Sequence, residues 1–185
     1  MLSKEKFIAG MTLLKKSYLD WNFDLNDDVQ ITVWYSAFKN LTDEQFSNVI
    51  KEYHAHNRKP PTSIRDLTEI LVNKFYATAK VPPEMALDVV RGIVSKNGGW
   101  DYGRSGIYKD LEKCPKSLLD TVKEFEGTLS SMSAKDSYVE DRFRKAYAIR
   151  LRASAIREVD KRLGIALPEP KNPTALGTAA LPYEV

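Results

Sequence analysis

From Ser133 to Leu163 neither proline nor glycine interrupts the chain, and Val139, Phe143, Tyr147, Leu151, Ala155, Val159 and Leu163 recur every four residues. Such a run predicts one long helix. A strict four-residue repeat drifts around a helix of about 3.6 residues per turn, so the apolar stripe winds, and its far half is expected to leave the core and meet something else. No segment alternates apolar and polar residues over a strand's length. The expected fold class is therefore all-α.

Two Pro-Pro pairs divide the remainder. Phe7, Met11, Leu14 and Tyr18 share one face of a first helix that opens near Ser3 and ends about Trp21. Asn26 and the two aspartates after it start a second, whose apolar face is Val29, Val33, Trp34, Ala37 and Phe38. Thr42 with Gln45 makes a capping box for a third, which turns Phe46, Val49, Ile50 and Tyr53 inward. In YHAHNRKPPTSIRDL, Lys59 and Pro60 break that helix because a residue before proline is pushed out of helical geometry, and Thr62 or Ser63, with Asp66, opens a fourth. Ile64, Leu67, Ile70, Leu71 and Phe75 are its buried side.

Pro82-Pro83 repeats the device and leads into a helix burying Met85, Ala86, Val89, Val90 and Ile93. Asn97 to Gly106, NGGWDYGRSG, reads as a loop before a short helix with Ile107, Tyr108 and Leu111. Pro115 starts another, carrying Leu118, Leu119, Val122 and Phe125 and ending at Gly127. The predicted organisation is a small N-terminal helical bundle over residues 1–79, a boundary at Lys80 and Val81, and a second helical region over 82–163 with the long basic helix. The proline-rich tail, 164–185, is expected to be disordered in isolation.

Charge and motif chemistry narrow the function. A net charge of +3 does not announce a nucleic-acid binder, but between Arg142 and Arg162 eight basic residues stand against Glu158 and Asp160. Those eight are Arg142, Arg144, Lys145, Arg150, Arg152, Arg157, Lys161 and Arg162. Such a face tracks a phosphate backbone, complements an acidic protein surface, or is merely solvated. Trp100, Tyr102 and Arg104 form a secondary candidate, able to stack on bases or on a partner's side chains, although the plainer reading folds both aromatics back into the core.

Catalytic and metal signals are weak. His54 and His56 are two residues apart, which on a helix points them away from each other, and Glu52 is a poor third ligand. The phosphate-cradling GxxxxGK[ST] is missing, and Cys114 between Lys113 and Lys116 has no histidine tied to it by motif. No catalytic, cofactor-binding or metal residue is therefore assigned. The lone Cys114 excludes an intrachain disulfide and suits a reducing interior, and neither the amino terminus nor any later run resembles a secretory signal or a membrane span. The cytoplasm of a cell is the expected location.

VWYSAFKNL, the closely following TDEQFSNVIKEYHAHN and above all KPPTSIRDL resemble the amino-terminal domain of the phage replicative helicase loader/inhibitor family of Gram-positive phages, over about residues 1–79. The resemblance implies a non-enzymatic adaptor: a small helical domain that binds a hexameric replicative helicase and restrains it until an origin-bound initiator protein receives it. It supplies no catalytic residues. The ordered-looking 82–163 departs from the short carboxy-terminal part of that family, and its arrangement, with FRKAY inside a basic helix, is similar to the carboxy-terminal halves of other phage replication proteins. The leading expectation is a DNA-replication adaptor whose basic helix and tail meet the helicase. The alternative is a replication or regulatory protein that contacts DNA directly through residues 142–162.

Overall fold

The computed structural model describes residues 1–131 and 137–164, and over them the chain forms eight α-helices and no strand. The fold is all-α. The first four helices are α1 (Lys4–Ser17), α2 (Asp28–Phe38), α3 (Asp43–His56) and α4 (Ile64–Ala77). Ser3 caps α1 by accepting from the Lys6 amide, and its own amide donates to Asp43 Oδ1 at 2.6 Å. One acid in the first turn of α3 thus fixes where α1 begins. Phe7, Met11 and Leu14 are buried as their spacing requires, but α1 stops at Ser17, and Trp21 lies buried in the following turn, stacked on Phe23.

The cap of α2 is Asp27, one residue later than expected, and it accepts from the amides of Val29 and Gln30. The inward face also differs. Ile31, Ala37 and Phe38 are buried, whereas Val29 is 73% and Val33 52% exposed. Residues two apart on a helix are rotated by about 200°, so once Ile31 enters the core the valines on either side of it face out. The capping box of Thr42 and Gln45 forms at α3, and Ser63 with Asp66 forms a second at α4.

Pro83–Met85 makes one 3-10 turn before α5 (Ala86–Lys96), α6 (Trp100–Leu111), α7 (Lys116–Ser131) and α8 (Ser137–Leu163) follow. Met85 is exposed, and Ala86, Leu87 and Val90 are the buried residues of α5. The glycine-rich stretch is mostly helix rather than loop. Gly98 and Gly99 take φ of 81° and 94° and turn the chain, while Gly103 and Gly106 lie inside α6. A Cβ on Gly103 would stand 1.9 Å from the Asn97 carbonyl oxygen, and one on Gly106 would stand 2.2 Å from Asn97 Oδ1. These two glycines serve close packing of a helix on its own turn. Likewise α7 passes through Gly127, where nothing crowds the backbone, and ends four residues on.

Two buried clusters result. The first gathers side chains of α1 to α4 and the second those of α5 to α7, with Val81 between them joining the second. The helix α8 enters both. Phe143, Tyr147 and Leu151 lie in the second cluster; Ala155, Val159 and Leu163 lie in the first. Each four-residue step overshoots a turn by about 40°, so the stripe rotates through roughly 200° from Phe143 to Leu163 and meets cores on different sides of one rod. The far half of α8 therefore does not leave the core. It packs on α4 and ends where Asn40 Nδ2 donates to the Leu163 carbonyl at 2.9 Å. The expected start at Ser133 and the tail beyond Gly164 lie outside the described residues.

Candidate interaction surfaces

The basic run on α8 is largely occupied by the protein's own groups. Arg150 pairs with Glu124 of α7 and donates to Thr121 Oγ1 at 3.3 Å, and Arg152 pairs with Glu69 of α4 and reaches Asn73 Oδ1 at 3.4 Å. Arg162 pairs with Glu158 at 3.1 Å and lies over the Phe75 ring at 4.3 Å. Arg144 and Lys145 face Glu140 and Asp141 one turn back, at 3.9 and 2.7 Å. Arg142 rests over Phe125 and Tyr138. Only Arg157 and Lys161 of the eight are exposed without a side-chain partner among the described residues. Exposed pairs of this kind contribute about 0.2–1 kcal/mol each, and the two that cross between helices, Arg150–Glu124 and Arg152–Glu69, tie α8 to α7 and α4.

The secondary candidate residues separate. Trp100 packs on the second cluster, Tyr102 is 93% exposed, and Arg104 Nε pairs with Glu126 at 2.7 Å. Tyr108 donates to the same Glu126 at 2.8 Å, and burial first, then that acid, pushes its phenol up to about 12. Tyr102 does not fold back, because the helix that begins at Trp100 carries it to the outer face. His54 stands edge-on to Tyr18, while His56 turns to the Glu52 carbonyl. No cluster of three or more metal-ligating side chains forms among the described residues.

The surface that sequence reasoning missed is on α2. Val29 and Val33, one turn apart, face outward, and Leu19 is 84% and Leu13 47% exposed in the same bundle. Asp20, Asp24, Asp27 and Asp28 lie along the segment that leads into α2 and at its start, and all four are exposed. The signal was available: apolar residues at 29, 31, 33, 34, 35, 37 and 38 encircle the helix, which no single core contact can cover.

The chain matches no protein-family model, no curated protein and no solved structure. Among the described residues no helix is long and apolar enough to cross a membrane.

Proposed function

We propose that this protein is a phage DNA-replication adaptor that binds a hexameric replicative helicase and controls its delivery at the origin. The observation that carries the reading is the uncovered apolar edge of α2, Val29 and Val33, with exposed Asp27 and Asp28 at the start of the same helix. Apolar anchors inside a charged rim are the makeup of a protein-binding face. The proline-jointed bundle α1 to α4, which carries the likeness to helicase loaders, bears this face. Arg157 and Lys161 sit on the same bundle through the end of α8 and supply charge that steers encounter. An origin-bound initiator is the second partner in this scheme.

Burying a valine fully is worth about 1.5 kcal/mol or more, so each anchor supports roughly a tenfold gain in affinity. Immobilised protein should retain a purified hexameric replicative helicase; Val29→Asp with Val33→Asp should lose most of it, and Arg157→Glu with Lys161→Glu should slow association. Equal retention by the valine variant would reject α2 as the contact. A wild-type chain that retains no helicase would reject the function.

A further inference from the structure

The joint between α3 and α4 carries free positive charge of the kind that only Arg157 and Lys161 retain on α8. Lys51, Arg58, Lys59 and Arg65 are all exposed, and none of their side chains has an acidic partner among the described residues. From Lys51 to Asp66 these four cations stand against two acids. Glu52 lies 3.5 Å from His56, and Asp66 Oδ2 accepts from the Thr62 amide, the Thr62 hydroxyl and the Ser63 amide at 2.6, 2.9 and 2.9 Å.

The backbone carrying these cations is held from below. Tyr18 donates its hydroxyl to the Asn57 carbonyl at 2.6 Å, and Tyr53 donates to the Lys59 carbonyl at 3.2 Å. Pro61 is buried in the joint, and Pro60 before it has a fixed φ. Arg58 and Lys59 are therefore presented from a fixed platform, between the last turn of α3 and the first turn of α4.

We infer that this joint is a contact for the phosphate backbone of nucleic acid, formed by Lys51, Arg58, Lys59 and Arg65. From Asn40 to Lys80 no large apolar side chain is exposed, so the joint segment itself offers charge without the anchors that a protein interface or a lipid surface would use. Cations without apolar anchors suit a partner recognised by charge alone, and each phosphate neutralised releases counterions. The inference rests on these side chains and stands apart from the helicase reading.

The test is fluorescence anisotropy with a labelled random-sequence duplex of about 30 base pairs, from about 50 mM salt upward. The full chain should bind with affinity that falls steeply as salt rises. Lys51→Gln, Arg58→Gln, Lys59→Gln and Arg65→Gln together should weaken binding about tenfold or more and flatten the logarithmic salt slope by about 0.9 for each phosphate no longer neutralised. Arg157→Gln with Lys161→Gln should leave both unchanged. Because the four side chains are exposed, circular dichroism and melting should match the wild type; if the melt shifts, Arg58→Gln and Lys59→Gln taken singly read the same slope. No binding by the wild type at low salt, an unaltered joint variant, or a weakening that follows the α8 pair would each overturn the inference. So would sedimentation with acidic phospholipid vesicles in place of duplex binding.

Discussion

Asn97 accounts for two glycines that composition alone assigns to flexibility. Its backbone and side chain occupy the space where Cβ atoms of Gly103 and Gly106 would lie, so α6 folds directly against the turn that precedes it. Gly103→Ala should lower stability by about 1–2 kcal/mol, because the gain in helix propensity is smaller than the cost of displacing a backbone carbonyl. Gly127→Ala, in an uncrowded turn of α7, should raise it by about 0.5–1 kcal/mol, and paired denaturation curves compare the two. Asp66 makes a different point. Partial burial acts to raise its carboxyl, but hydrogen bonds from Ser63 and Thr62 outweigh this and hold it below the usual carboxylate value. A carboxylate lowered in the folded state adds stability above the unfolded value of about 3.9 and loses it as pH falls through the folded one. Asp66→Asn should therefore cost about 1 kcal/mol at neutral pH through the lost cap, and the gap from wild type should close in denaturant titrations as pH falls through the lowered carboxyl value.

At the scale of elements, helices were legible where periodicity and caps agreed. The box of Thr42 and Gln45, the box of Ser63 and Asp66, and the every-fourth stripe on α8 all state their structure in the sequence. What periodicity does not state is which neighbour a face meets. Val29 and Val33 fit an apolar stripe as well as Ile31 does, and only the packing of α2 decides between them. Charge shows the same gap: Glu69 and Glu124, distant in sequence, take Arg152 and Arg150 out of the basic run. The winding of α8 was legible, but its consequence, one helix completing two cores, needed both cores in view. Coupling follows from it. In a Trp100→Phe background, Trp21 and Trp34 report on the first core alone, and Tyr147→Ala, placed in the second core, should still lower the midpoint they record. That substitution removes about 3–5 kcal/mol of packing, as for other large aromatics, together with the hydroxyl that donates to the Val81 carbonyl at 2.7 Å. An unchanged fluorescence midpoint would mean that α8 does not couple the cores.

For the whole molecule, a two-core protein strung on one helix carries two separate candidate contacts, the α2 edge and the α3–α4 joint. The α2 edge is the proposed protein contact and the α3–α4 joint the proposed phosphate contact, and both belong to the bundle of α1 to α4. A chain ending at Ser133 would strip α8 from both cores, so the roles of these surfaces are separable by surface substitutions rather than by truncation. Sedimentation velocity of a purified hexameric replicative helicase, mixed with labelled full-length protein, tests the central claim most directly. The label should move with the hexamer, and Val29→Asp with Val33→Asp should return it to the rate of the free chain. A wild-type label that sediments at its own rate beside an unaltered hexamer would contradict the account.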